Sequence, residues 1–540
     1  KKMYLFVCFQ QELTIDFVQV SDIHGFVFGQ KDKSYGDAAT LLATVQHLRR
    51  QNKTFFSVVG DICDGTMFSD LSQPPCARMV DLIAQLDPDV ATFGNHDITN
   101  QETWKYFLQK LSKSLISTNM YLNGKPVTSQ YQLKTVNGLK VLTLGFTVQR
   151  GYDGVTAEPF VASAREAFNK IGKEQLKVDV LVLQLHNELD AAAKELYRYL
   201  RDYFKQELGY TVPIVIQSGH DHVLRKFYCQ VDGIEDKQCY ATDAMFNLQN
   251  IVLYHIAFEK VQITGKNDEP SWWGSRIASI QNYKSDKNSE TEIDEKLKIQ
   301  YQIKEFITQE AKSLRQQIQK TNSQLNATFF LTTMPYDIVQ NDDYSTDIYH
   351  KRSIHNLWFD FALPKVVYNT SKCQSASFHS KGFFRVNITK GPFVTEDAHE
   401  LVPYSDPFAC VTLTQEQYQC VKRLHIEPQY AFSQMNISGC VDLVIPAYNG
   451  RELDKRGICG IPKTSQCFGR VAKRTNQVWI EAAALMEKNS QLITRNVIIG
   501  GVVGGAAVVA TIIVIIILVR KNKTSKKESQ DRERLVTDYT

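Results

Sequence analysis

Short apolar runs recur through the first half of the chain, each ending in a polar or glycine-containing turn. LTIDFVQV, TFFSVVG, DVATFG, VDVLVLQL and VPIVIQS read as buried strands, because each is short, rich in β-branched residues and closed by turn residues. Between several of them lie amphipathic stretches, such as residues 38–50 and 77–86, with the spacing of one helix face. This alternation predicts an α/β domain over residues 13–265.

The pattern then changes. Residues 285–319 contain neither Gly nor Pro, and Ile293, Leu297, Ile303, Ile307, Ala311, Leu314 and Ile318 recur at helical steps. That spacing predicts a long amphipathic helix inside a linker, residues 266–338, and its heptad register is too short-lived for a coiled coil. A second domain is expected over residues 339–490. Residues 497–519 form an uninterrupted apolar run, long enough for a transmembrane helix, which needs roughly 20 residues. Arg520, Lys521, Lys523, Lys526 and Lys527 follow it and predict a cytoplasmic tail, residues 520–540. The expectation is a single-pass type I membrane protein with its bulk extracellular or lumenal. Gly500, Gly501, Gly504 and Gly505 form overlapping GxxxG patterns, a candidate homodimer contact between such helices. Residues 1–12, with KKMYLFVCF, read as the remnant of a signal peptide.

Cysteine usage fits an oxidising compartment. Of 11 cysteines, removal of Cys8 with the N-terminal segment leaves an even set. Cys63 with Cys76 and Cys229 with Cys239 are candidate local pairs, and connectivity among the six between Cys373 and Cys467 stays open. Sequons at Asn52, Asn326, Asn369, Asn387 and Asn436 predict a glycoprotein. A formal net charge of +4, without a basic block interleaved with aromatics, argues against nucleic acid as a partner.

The candidate chemistry lies where the apolar runs stop. VQV leads to Ser21-Asp22-Ile23-His24-Gly25, SVV to Gly60-Asp61-Ile62-Cys63-Asp64-Gly65, and ATF to Gly94-Asn95-His96-Asp97. LVLQL leads to His186, and IVIQS to Gly219-His220-Asp221-His222. In an α/β sheet, ligands gather at the carboxyl ends of the strands, so these distant residues are expected to meet at one edge. Carboxylate, amide and imidazole form a hard-to-borderline set suited to Zn, Mn or Fe.

This ordered series (DxH, GDxxD, GNH, a lone His, GHxH) resembles the calcineurin-like metallophosphoesterases, and with the second-domain motifs given below the chain resembles their 5′-nucleotidase family over most of residues 13–445, in a divergent GDxxDG branch. The resemblance implies a β-sandwich flanked by helices, followed by the linker helix, an α+β C-terminal domain and the transmembrane helix. It implies two divalent metal ions: Asp22, His24, Asp61 and His222 on one; Asp61, Asn95, His186 and His220 on the other, with Asp61 bridging. Two ions about 3.5–4 Å apart polarise a phosphate ester and acidify a bound water that attacks phosphorus. His96 would then stabilise developing charge and protonate the leaving oxygen. The family's GNHExD motif has an Asp where this chain has Thr99. Asp64 matches the second Asp of GDxxD and is expected to orient His96 instead.

In the second domain, Gly382, Phe384 and Arg385, Gly391 and Phe393, and Pro403 and Tyr404 match family motifs. The resemblance implies that Arg385 clamps phosphate and that Tyr404 stacks on a base. Ser380 and Val394 depart from those motifs, and the GGDG[FY] half of the base sandwich is not recognisable. The expected function is therefore hydrolysis of small phosphate esters, with nucleotides favoured. Alternatives are a phosphomonoesterase or phosphodiesterase of another substrate, or a receptor or adhesion ectodomain on an enzyme scaffold.

Overall fold

The structure, a computed structural model, describes residues 13–28, 37–50, 53–149, 154–189, 191–231, 233–248, 251–263, 271–282 and 308–325. Further along it describes residues 330–334, 353–366, 373–380, 384, 391–402, 408–423, 430–432, 440–446, 465–466 and 478–487. The chain divides into two compact units, residues 1–322 and 323–540.

The first unit carries strands β1 (Leu13–Val20), β2 (Thr54–Val59), β3 (Val90–Thr92), β4 (Met120–Leu122), β5 (Lys125–Pro126), β6 (Tyr131–Val136) and β7 (Leu139–Thr147). They are followed by β8 (Val155–Ala157), β9 (Val180–His186), β10 (Ile214–Gly219), β11 (Leu224–Val231), β12 (Ile234–Ala244), β13 (Val252–Ile263) and β14 (Trp272–Asn282). One sheet has the order β14-β13-β1-β2-β3 and the other β11-β12-β10-β9-β7-β6; β4, β5 and β8 make a small third sheet. β1, β2 and β3 run parallel, as do β7, β9, β10 and β12, while β13 and β11 pair antiparallel at the flanks.

Burial on both faces explains why these strands read as continuous apolar runs. On β1, Ile15 and Phe17 pack between the sheets with Phe55, Val180, Val182 and Val215. Val18 and Val20 face the other way, under Leu41, Met79 and Ile83 of helices Ala38–Arg49 and Ala77–Leu86. On β9, Leu181 and Leu183 pack on Phe168 and Leu196 from helices Phe160–Ile171 and Ala191–Tyr203. Each such side chain, fully buried, contributes roughly 1.5–3 kcal/mol.

Two expectations change. The first domain does not stop at residue 265, because β14 pairs with β13 from Ile263↔Trp272 to Tyr254↔Asn282. The described helix in the linker is Gln309–Gln324, and its buried face (Ala311, Leu314, Ile318) packs into the first unit's core. Arg315 pairs with Asp37 at 2.8 Å, the residue that caps helix Ala38–Arg49. That helix is therefore part of the first unit; Ile293, Leu297, Ile303 and Ile307 lie outside the described residues.

In the second unit, Phe408–Leu413 pairs antiparallel with Val441–Pro446, which pairs parallel with Gln374–Ala376. Trp358, Phe384 and Trp479 pack together in its core, with Trp358 and Trp479 stacked at 5.4 Å. Cys63–Cys76 and Cys229–Cys239 are disulfides, as the spacing predicts; Cys373–Cys440 is a third, and Cys420 is also disulfide-bonded. Among the described residues no helix is long and apolar enough to cross a membrane. Residues 1–12, 497–519 and 520–540, the five sequons, Arg385 and Tyr404 lie outside the described residues.

Candidate metal centre

The site begins as an extension of the parallel ladder. Beyond β1 and β2 the two loops stay paired: Asp22 N donates to Gly60 O (3.0 Å), His24 N to Asp61 O (3.1 Å) and Gly25 N to Ile62 O (3.0 Å). The backbone there is left-handed at Asp22 (φ 49°), His24 (50°), Asp61 (50°) and Asp64 (61°), and again at His220 (88°) and His222 (60°). Such non-glycine conformations cost of order 1–3 kcal/mol each and persist where the surrounding structure over-determines them. Glycines admit the close approaches. A Cβ on Gly219 would lie 2.6 Å from Asp22 Oδ2, and one on Gly94 would collide with Asp61.

Two sets of potential ligand atoms adjoin at this edge: Asp22, His24 and His222, and Asp61, His186 and His220. His24 Nε2 lies 3.3 Å from His222 Nε2, and His222 Nε2 lies 3.4 Å from Asp22 Oδ1. His186 Nε2 lies 3.2 Å from Asp61 Oδ2 and 4.0 Å from Asp22 Oδ1, which joins the two sets. The backbone orients several of these groups. His24 Nδ1 meets Cys63 O (3.0 Å) and Asp64 O (3.1 Å), His186 Nδ1 meets Val59 O (2.8 Å), and His220 N donates to Asp22 (3.0 Å). The bonds at His24 and His186 engage Nδ1 and leave Nε2 as the ligating atom, the usual role of a metal ligand's outer partner.

The donor set fits divalent ions. Asn95 Oδ1 is buried without a hydrogen bond, although buried polar atoms normally have one, and buried His186 Nε2 faces the Asp61 and Asp22 carboxylates. Burial disfavours charge on Asp22, but His186 and His222 overcome it and bring the carboxyl down to about 2. Burial likewise opposes ionisation of Asp61, yet His186 and His96 hold it well below its ordinary value. Burial would lower the His186 pKa; Asp61 and Asp22 instead push it up to about 10. His220 is drawn down to about 4 by burial and by the His186 charge. A proton on His186 thus occupies the place of a cation between two carboxylates.

His96 stands beside these sets, its ring 5.1 Å from that of His24. Its Nδ1 lies 3.0 Å from Asp64 Oδ2, and its backbone N donates to Asp61 Oδ1 at 2.7 Å. Thr99, where the GNHExD motif has Asp, donates to the His96 backbone oxygen at 3.2 Å. Asp97 carries a structural role that the spacing did not single out. It is buried and accepts from the backbone N of Asp61 (2.8 Å), Ile62 (3.0 Å), Cys63 (3.1 Å) and Gly94 (2.8 Å), tying two ligand loops together. Burial and the Asp61 charge push its carboxyl up to about 7. The signal available was an acidic residue directly after a glycine-bearing strand end. Arg385 and Tyr404, lying outside the described residues, receive no position relative to this centre.

Residues 15–224 match the family model described as calcineurin-like phosphoesterase, a family that uses divalent metals. A protein of Arthroderma benhamiae named "Secreted protein" is 24% identical over 440 residues, 73% of this chain. The chain spans 64% of that relative's length. The crystal structure of 5′-nucleotidase from Candida albicans superposes with a TM-score of 0.70 at 16% identity, covering 87% of this chain and 97% of that one. A 5′-nucleotidase precursor from Thermus thermophilus gives 0.62 at 13% identity, covering 88% and 97%. These likenesses show that the fold is 5′-nucleotidase-like.

Proposed function

We propose that this chain, a calcineurin-like phosphoesterase with a 5′-nucleotidase-like fold, is a metal-dependent phosphoric ester hydrolase with a dinuclear centre. The observation that carries the reading is the pair of adjoining ligand sets beside a histidine held by a carboxylate. Asp22, His24, Asp61 and His222 are assigned to one divalent ion, and Asp61, Asn95, His186 and His220 to the second. Bound there, the ions supply Lewis acidity and an acidified water. The chain supplies the rest. Asp64 meets His96 Nδ1 at 3.0 Å and fixes the ring, so His96 Nε2 is the atom assigned to pass a proton to the leaving oxygen. The buried walls around Asp22, Asp61 and His186 strengthen every charge interaction at the centre.

The substrate proposed is a small phosphate ester, with a nucleoside monophosphate first. The 5′-nucleotidase-like fold and the Arg385 and Tyr404 motif positions support that choice. The missing GGDG[FY] motif favours a second reading, a phosphomonoesterase or phosphodiesterase of other esters. The apolar run 497–519, the disulfides, the sequons and a relative named as secreted support a membrane-anchored, glycosylated protein with its catalytic part extracellular or lumenal. Gly500, Gly501, Gly504 and Gly505 support helix pairing in a homodimer.

The test is hydrolysis of AMP, UDP-glucose, bis-p-nitrophenyl phosphate and p-nitrophenyl phosphate with Zn, Mn or Mg supplied, using His96→Ala as control. Preference for AMP supports the nucleotidase reading. Activity on generic esters alone replaces it with the second. Metal binding without His96-dependent turnover of any of them rejects both and favours a binding ectodomain.

A further inference from the structure

His222 differs from His24 and His186 in how it is held. His24 and His186 each have Nδ1 fixed by backbone carbonyls. Among the described residues no group hydrogen-bonds His222 Nδ1. Its imidazole lies instead flat against the Phe246 ring, with centroids 4.8 Å apart and planes inclined by 17°. His222 is also the more open ligand, its side chain 27% exposed where that of His186 is 0%.

Phe246 sits on a loop that is costly to form. The connection from β12 to β13 has left-handed backbone at Met245 (φ 67°), Asn247 (53°) and Leu248 (52°). None of the three is glycine, so each carries a penalty of order 1–3 kcal/mol. The loop is fastened to the metal centre itself: Asn247 N donates to Asp22 O (2.8 Å), and Ser21 Oγ to Met245 O (3.2 Å). Met245 N donates to Asp243 Oδ1 (3.2 Å), and Leu248 is anchored in the core under the first sheet. All these ties place one half-buried aromatic ring over one ligand.

We propose that Phe246 is the positioning residue for His222 and sets how tightly the Asp22–His24–His222 site holds its divalent ion. The ring replaces the hydrogen bond that fixes His24 and His186, and limits His222 to rotation in its own plane. The two ions are then unequal in one respect: the ion on His222 exchanges at a rate governed by Phe246, and the ion on Asp61, His186 and His220 does not. The inference rests on the dinuclear reading above and deepens it.

The experiment is Zn(II) release from the loaded full chain to a chromogenic chelator, for wild type, Phe246→Ala, Phe246→Leu and Phe246→Trp. Outer partners of metal ligands change affinity by roughly 10–100-fold, and a change of that size is expected in one of two release phases for Phe246→Ala. Phe246→Leu, which keeps apolar bulk but lacks a ring, should release like Phe246→Ala, and Phe246→Trp should restore the slow rate. Equal release by wild type and Phe246→Leu overturns the proposal, as does equal acceleration of both phases. A wild-type chain that binds no Zn(II) rejects the metal-centre reading, and the role of Phe246 with it.

Discussion

At the residue scale, the centre is a set of charges whose protonation is decided by one another. His186 is the informative member. Its ordinary pKa is 6.5, and Asp61 and Asp22 raise it to about 10 against the effect of burial. Without metal the ring is therefore charged at neutral pH, and its contribution to stability is complete below 6.5 and lost as pH rises through about 10. To ligate a metal it must lose that proton. Asp22, at about 2, and His220, at about 4, are already in their ligating forms. Metal uptake near pH 7.5 should thus release about one proton from His186, and affinity should rise with pH across that window. Calorimetry in two buffers of different ionisation enthalpy measures the release; no proton released would contradict the assignment. Asp64 and His96 make a separate prediction. Asp64→Asn should lower kcat by roughly 10–100-fold, part of the 10²–10⁴ available from proton transfer, while metal content stays at the wild-type level. Equal loss of both would show that Asp64 serves the metals and not His96. The candidate ligand positions were legible from the sequence because each follows an apolar strand end. Asp97 was not, because nothing in the spacing reveals four converging backbone donors.

At the scale of elements, rigidity of the loops matters more than the strands themselves. Cys63 lies between Asp61 and Asp64, and its disulfide to Cys76 pins this loop to the start of helix Ala77–Leu86. A bridge over a separation of 13 residues restricts the unfolded chain enough to contribute about 3 kcal/mol. The double variant Cys63→Ser/Cys76→Ser should lose roughly 4–5 °C in Tm by scanning calorimetry, at about 1.5 °C per kcal/mol for a unit spanning residues 1–322. Gly219→Ala acts on geometry instead: its Cβ would lie 2.6 Å from Asp22 Oδ2, so metal content should fall while far-UV circular dichroism stays unchanged. Retained metal would mean that the carboxylate can move aside. The central strands were readable because both faces are buried. β11 and β14 were not: LRKFYCQV and WWGSRIASIQN are flanking strands that mix charged and apolar residues, and β14 is recruited only by its long antiparallel register with β13. Likewise the helix Gln309–Gln324 showed its apolar stripe in the sequence, but not the core that receives it.

At the scale of the whole molecule, the expectation with the largest consequence concerns where the metal centre faces. The apolar run 497–519 is followed by Arg520, Lys521, Lys523, Lys526 and Lys527, and moving such a cluster through a bilayer is strongly disfavoured. The first unit and the cysteine-bearing second unit would then share the oxidising side, where disulfides such as Cys63–Cys76 and Cys373–Cys440 persist. Because Cys63 belongs to a ligand loop, the compartment that keeps the disulfide closed also preserves the candidate metal centre. This couples topology to chemistry. The full chain, expressed in cells, should stay with membranes after carbonate washing, and protease added to sealed vesicles with the cytoplasmic face outward should remove only the tail, residues 520–540. Ester hydrolysis by those vesicles should remain latent until detergent opens them. Hydrolysis without detergent, or digestion of the first unit in sealed vesicles, would place the centre on the cytosolic side and reverse the orientation expected from the basic cluster.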